Sequence, residues 1–261
     1  MTATMKFSEV ITNFQMSRAA VRNGPVNPRD YSPSTRTGLN ILGTLPQGSI
    51  LFGMAEDGKP LLLSLTDPHP GSILVTAERA CGKTHFLKML IQAAALLKQP
   101  GEVEFFVLTC YPQDFAHVDA PNHLQGVWSA EDESASELIY EIACRVETPA
   151  KRQPTMLLID GLDAILQLDP IAQKNLAYIL EDGPQAMVWP VLTANANMIV
   201  QWPDWLACFH TRIYGRVSDP NTARDLTPNP GAPLNRLLPG TQFCMREKSQ
   251  WLKFWLPTLP A

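Results

Sequence analysis

Beyond about residue 45, hydrophobic runs and their breaks divide the chain into alternating strand and helix signals. SILFGMA and PLLLSL flank Glu56-Asp57-Gly58-Lys59, and Asp-Gly between two apolar runs predicts a hairpin, because its turn twists the way the strands do. GSILVT follows as a short apolar run of the buried-strand kind. Over residues 82–98 the period changes, and Phe86, Leu87, Leu90, Ile91, Ala94 and Leu97 fall on one helical face. After Pro100-Gly101, EVEFFVLTC predicts a second buried strand, followed by a loop to about Ala130. SAEDESASELIYEIACRVE predicts a helix with a serine cap, acids in its first turn and Leu138, Ile139, Ile142 and Val146 on one face. TMLLID is another apolar strand, and Asp169-Pro170 predicts the start of a helix running to about Glu181. AMVWPVLT predicts a strand whose Pro190 cannot donate to a ladder, which points to an edge or a bulge. FHTRIYGRV, TQFCM and WLKFW complete the set. Strands separated by helices imply βαβ units and a mostly parallel sheet flanked by helices.

A length of 261 residues suits one generous α/β domain with appendages. The composition is 45% hydrophobic and 18% charged, which excludes the disordered class. A formal charge of −4 gives no global basic footprint for coating nucleic acid. Five cysteines are widely spaced with no CxxC pair, against both a disulfide framework and a zinc ribbon. No apolar run is long enough to span a bilayer, and no signal-peptide layout opens the chain. The expectation is a cytoplasmic protein with no direct membrane span.

Charge also marks a boundary. Residues 1–45 hold Lys6, Arg18, Arg22, Arg29 and Arg36 against Glu9 and Asp30, a net +3, so the remainder carries −7. The chain therefore reads as a weakly basic N-terminal arm over 1–45, with one short helix at about residues 7–21, and one domain over 46–261. The arm suits a strap onto a neighbouring subunit, a solvated leader or a nucleic-acid contact.

The segment that carries chemistry leaves the GSILVT strand and enters the 82–98 helix. It reads Ala77-Glu78-Arg79-Ala80-Cys81-Gly82-Lys83-Thr84, and its end fits the phosphate-binding pattern GxxxxGK[ST], with Ala77 where the first glycine is expected. Backbone amides from Ala80 to Thr84 would converge on phosphate oxygens at a helix start, where the peptide dipoles add partial positive charge. Lys83 would reach the outer phosphates and the Thr84 hydroxyl would ligate Mg²⁺. Ala77 is harmless there if its φ is negative and costs roughly 1 kcal/mol if positive. The cofactor-binding run is Ala80, Cys81, Gly82, Lys83, Thr84 and His85, for ATP with Mg²⁺. TMLLID then ends in Asp160, as a strand that delivers a carboxylate to the metal does; Thr84 and Asp160 are the candidate metal ligands.

GMAEDGKPLLLSL, DPHPGSILVTAERACGKTHFL, LLIDGLDAIL, VLTANAN, FHTRIYGRVSDP and LLPGTQF, in that order, resemble the motor domain of the FtsK/SpoIIIE branch of the FtsK/HerA ATPases over about residues 50–257. The resemblance implies an additional-strand, RecA-like P-loop NTPase fold. It further implies a homo-oligomeric ring, usually a hexamer, with ATP between neighbours and DNA or protein moved through it. By position, Lys83 and Thr84 match the family's phosphate loop, Asp160 its strand-end aspartate and Asn195 its polar sensor. Arg212 and Arg216 match the arginines in its segment after the sensor strand, one or the other of which would act on a neighbour's nucleotide.

The departures are specific. Active members follow the strand-end aspartate with a glutamate that orients and deprotonates the attacking water, whereas this chain has Gly161. Losing a general base removes ~10²–10⁴ in rate. Asp163 is the nearest substitute, with helix capping or surface hydration as its alternative role. Asp-Gly at this point is similar to the later, degenerate ATPase domains of type VII secretion motors such as EccC, where nucleotide serves assembly more than turnover. The sequence therefore predicts an ATP-binding protein with weak or conditional hydrolysis, or a scaffold that binds ATP without turnover. Cys81, next to Lys83 at a helix start, is expected either to have its thiolate favoured or to act as a small filler.

Overall fold

A computed structural model describes residues 45–148, 153–227, 231–247 and 250–257. The arm over 1–45 and its short helix lie outside the described residues, apart from Leu45. The remainder builds on one ten-stranded sheet in the order β2-β1-β10-β9-β8-β3-β7-β6-β4-β5. Its strands are β1 Ser49–Ala55, β2 Pro60–Ser64, β3 Ile73–Ala77, β4 Glu104–Thr109, β5 Leu124–Ser129, β6 Thr155–Asp160, β7 Val188–Asn195, β8 Thr211–Tyr214, β9 Gln242–Glu247 and β10 Gln250–Trp255. The helices are α1 Lys83–Leu97, α2 Glu133–Glu147, α3 Leu162–Gln167, α4 Pro170–Asp182, α5 Ala196–Ile199, α6 Pro203–Ala207 and α7 Pro220–Leu226.

From β8 to β5 every pairing is parallel, while β9, β10, β1 and β2 extend the sheet antiparallel. Strand β7 lies between β3 and β6, so one extra strand separates the phosphate-loop strand from the strand ending in Asp160. That order is the additional-strand, RecA-like arrangement.

Period-2 alternation explains why the sheet needs helices on both faces. Ile73, Val75, Phe105, Val107, Met156 and Leu158 join one core with Phe86, Leu87, Leu90 and Ile91 of α1. Their neighbours Leu74, Phe106, Leu108, Leu157 and Ile159 join a second core with Leu138, Ile139 and Ile142 of α2 and Leu176 and Ile179 of α4. Each central strand thus buries alternate side chains in opposite layers, at roughly 1.5–3 kcal/mol for each large aliphatic group.

The β1–β2 hairpin forms where Asp57-Gly58 predicts it, with Gly58 at φ 78. Asp169 caps α4 by accepting from the amides of Ile171 (2.7 Å) and Ala172 (3.0 Å). Three expectations need correction. The loop to Ala130 contains strand β5, paired parallel to β4; it is half-buried, and Gly126 leaves room for the Trp128 ring to fold over it. The helix over 133–147 takes Asp132, not a serine, at its N-cap position. Pro190 lies in a central strand, opposite Leu157, where only β6 is alongside; the β3 register starts one residue later at Val191. The ring therefore costs the β3 ladder no donor. Among the described residues no helix is long and apolar enough to cross a membrane.

Candidate functional site

The parallel strands all end at one rim, where Lys83, Thr84 and Asp160 lie. β3 ends at Ala77 and α1 begins at Lys83, so the five residues between them must reverse the chain within a few ångströms. Two of these five take positive φ, Ala80 at 58° and Gly82 at 89°. Ala77 is not one of them, so the missing first glycine is harmless; the strain falls on Ala80 instead, at roughly 1–2 kcal/mol for an alanine held left-handed. Gly82 is required twice over. Besides its φ, a Cβ there would lie 2.5 Å from the Gly240 carbonyl oxygen, because the turn before β9 packs directly on the loop.

Within the loop, Glu78 donates its amide to the Arg216 carbonyl (2.9 Å) and Cys81 its amide to Glu78 (3.3 Å), and the first amide of α1 bound back into the turn is that of Phe86, to Gly82 (2.8 Å). The amides of the first helical turn point out of the helix start without intrahelical partners, as at every such terminus. Lys83 Nζ folds back to donate to the carbonyls of Glu78 (2.8 Å) and Ala77 (3.3 Å). Burial lowers its pKa, and Cys81, Asp160 and Asp163 act in the opposite direction.

Asp160 faces this loop from the end of β6 and is only 8% exposed. Its Oδ2 accepts from Thr84 Oγ1 (2.8 Å) and its Oδ1 from Thr193 Oγ1 (2.7 Å). Burial pushes its pKa up, and the two hydroxyl donors and Lys83 only partly oppose that. Thr193 escaped the sequence reading. It stands beside Asp160 because of the parallel register between β6 and β7, which no local signal encodes. The Thr84 hydroxyl and the Asp160 carboxylate are oxygen donors of the kind a hard cation takes, with the Thr193 hydroxyl orienting the carboxylate. Thr193→Val leaves the carboxylate without its orienting donor, so Mg²⁺-dependent nucleotide affinity is expected to fall by roughly 10-fold; calorimetric titration with a non-hydrolysable ATP analogue checks it.

The remaining predicted residues separate. Asn195, at the end of β7, pairs in register with Ala77 beside the loop, its amide directed to Met198 Sδ at 3.8 Å. Arg216 lies next to its own chain's loop, bonded to Ser218 Oγ (3.3 Å) and the Leu237 carbonyl (3.4 Å). Glu78 is tied to the same segment through the amide and hydroxyl of Ser218. Arg212 sits lower on the sheet, opposite Leu74, three residues or roughly 10 Å short of the rim. Its guanidinium donates to the Leu206 (2.8 Å) and Phe209 (3.4 Å) carbonyls. His85 is exposed on the first turn of α1. Cys81 corrects the favoured-thiolate expectation: it is buried, and burial together with Glu78 raises its pKa despite Lys83 and Arg216. It is a small filler beneath the loop.

After Asp160 the chain turns at Gly161, with φ 106 and ψ 138, into α3. Asp163, in the first turn of α3, folds its carboxylate back over this glycine, where a Cβ would meet its Oδ1 at 2.1 Å.

Residues 45–168 match the model of the FtsK/SpoIIIE family. No curated protein matches the chain. Among solved structures, EccC from Thermomonospora curvata (ATPases 2 and 3, in complex with a signal sequence peptide) superposes with a TM-score of 0.63 at 15% identity, over 82% of this chain and 41% of that one. EssC (ATPases 2 and 3) from Geobacillus thermodenitrificans gives 0.60 at 15% identity, over 90% and 48%. The genome packaging NTPase B204 from Sulfolobus turreted icosahedral virus 2, in complex with ATP-gammaS, gives 0.51 at 13% identity, over 72% and 99%. The chain thus spans less than half of the EccC and EssC chains, and the three likenesses agree on the fold.

Proposed function

We propose that this protein binds ATP with Mg²⁺ at the loop between β3 and α1, a reading supported by the match of residues 45–168 to the FtsK/SpoIIIE family model. The observation that carries the reading is the Thr84–Asp160 hydrogen bond of 2.8 Å. It joins the hydroxyl after the loop lysine to the strand-end carboxylate, the two groups that would hold the metal. In this reading the loop amides and the start of α1 bind the phosphates and Lys83 neutralises the outer ones. Thr84 and Asp160 would hold Mg²⁺, which would supply charge neutralisation for the phosphates, with Thr193 orienting Asp160. Asn195 faces the nucleotide from β7. Arg216 stands on the loop side of its own subunit, which leaves Arg212, anchored to carbonyls lower on the sheet, a bracing role.

The likeness to secretion and packaging ATPases supports an assembly in which copies of the 46–261 domain form a ring, a hexamer by the family pattern, acting on DNA or a protein chain. The weakly basic 1–45 arm suits a strap between subunits. The reading is for a cytoplasmic protein, which the free thiols at all five cysteines support. Gly161 favours a second reading, in which ATP closes subunit interfaces without turnover.

Thermal unfolding with and without Mg²⁺·ATP tests the proposal. Ligand at 100 times its Kd adds about 2.7 kcal/mol, a rise of roughly 5–10 °C for a domain of this size, and Lys83→Ala is expected to lose that rise. Equal melting of both proteins with and without millimolar Mg²⁺·ATP would falsify the nucleotide-binding reading.

A further inference from the structure

We propose that Asp163 is the catalytic base of this site, supplying from the first turn of α3 the carboxylate that position 161 lacks. The inference rests on the nucleotide-binding reading above and concerns what happens to the bound nucleotide.

The geometry at Gly161 carries it. With φ 106 and ψ 138 the backbone excludes an L side chain, and the volume where such a side chain would begin is already filled. A Cβ on residue 161 would lie 2.1 Å from Asp163 Oδ1 and 3.1 Å from its Cγ. The glycine and the aspartate are therefore one arrangement: the glycine makes the space, and the carboxylate enters it. A glutamate at 161 and the present Asp163 conformation are mutually exclusive.

The capping role that the sequence leaves open does not describe this side chain. α3 has Gly161 at its N-cap position and no side-chain cap, and its first turn closes through the Ala164 amide to the Gly161 carbonyl at 3.2 Å. Asp163 lies near the thiol of Cys110, which follows β4, whose last residue Thr109 pairs in register with Asp160. Burial first, and then Asp163 and Glu131, push that thiol up to about 11, so at neutral pH it stays protonated and adds no second negative charge beside the carboxylate. Lys83 also feels the charge of Asp163, together with that of Asp160. The carboxylate thus lies over Gly161 and within electrostatic reach of Lys83, on the side where the terminal phosphate is proposed to sit.

The step it supports is hydrolysis. A water oxygen forms a bond to the γ phosphorus as the bond from that phosphorus to the β–γ bridging oxygen breaks, leaving ADP. The water's proton passes to Asp163 Oδ and then to the released phosphate, which restores the base. Asp163 lacks the longer stem that a glutamate would bring to this place, so slow turnover is expected.

Single-turnover release of labelled phosphate from Mg²⁺·ATP, with the full chain in excess, tests the assignment. Three proteins are compared: wild type, Lys83→Ala and Asp163→Asn, with binding of a fluorescent ATP analogue and melting curves measured alongside. The wild type is expected to release phosphate above the Lys83→Ala background. Asp163→Asn is expected to fall by ~10²-fold while keeping its analogue affinity and its melting temperature; Asp163→Ser, measured beside it, covers the case in which the asparagine variant does not fold. Hydrolysis by Asp163→Asn or Asp163→Ser at the wild-type rate overturns the inference. So does a wild type that binds the analogue yet releases no phosphate above Lys83→Ala, and that outcome leaves the binding reading standing. A wild type that binds no analogue overturns both.

Discussion

Gly82→Ala is expected to destabilise the protein by roughly 2–5 kcal/mol and to abolish nucleotide binding. Two separate terms add. Holding an alanine at φ 89 costs roughly 1–2 kcal/mol. The new methyl then meets the Gly240 carbonyl oxygen at 2.5 Å and its Cα at 2.6 Å, and forced overpacking of this kind costs about 1–3 kcal/mol. Both contacts are backbone, so no rotamer change relieves them. Either the loop or the turn before β9 must move, and with the loop go the amides on which a phosphate would rest. Denaturant unfolding with and without Mg²⁺·ATP measures both effects. A variant with the wild-type midpoint would show that Gly240 yields freely and that the loop is not braced from that side.

The second large effect has opposite signs for stability and function. Asp160→Asn is expected to raise the melting temperature of the metal- and nucleotide-free protein by about 2–4 °C, the equivalent of roughly 1 kcal/mol, while ending Mg²⁺-dependent ATP binding. Burial raises the folded-state pKa of Asp160 above its ordinary value. A group shifted this way contributes stability below its unfolded pKa and loses it as pH rises through the folded one. At neutral pH the ionised carboxylate is therefore a liability to the empty protein. Asparagine has nearly the same shape, accepts from one of the two threonine hydroxyls through its oxygen and donates to the other through its amide. The advantage of the variant should shrink as acid protonates the native aspartate. Melting curves in EDTA from neutral pH down to the carboxylate range check the sign, and an asparagine variant less stable than wild type at pH 7 would refute the argument.

Local signals explain what could be read from the chain beforehand. Asp57-Gly58 between apolar runs, the change of period from GSILVT to the 82–98 helix, and Asp169-Pro170 each specify a turn, a strand–helix junction or a cap through neighbours in sequence. The Lys83, Thr84 and Asp160 cluster was legible for the same reason, since each lies at a strand end that its own segment defines. What escaped depends on register and on distant backbone. Thr193 matters because β6 and β7 align it with Asp160, and the close approach to Gly82 comes from Gly240, far along the chain. β5 was missed because an edge strand, half-buried and broken by a glycine, carries a weak apolar pattern. Pro190 misled in the other direction: the prohibition on proline applies to a ladder donor, and this residue lies just before the β3 ladder starts.

The resting place of Lys83 has one more consequence. Its ammonium donates to two carbonyls of the turn it serves, so the loop braces its shape on its own cation, as a fist closes on a thumb. In the proposed reading, a triphosphate would give this lysine charged oxygen partners in exchange for neutral ones. The free energy gained on binding would then come from replacing neutral by anionic acceptors around a loop that is already folded.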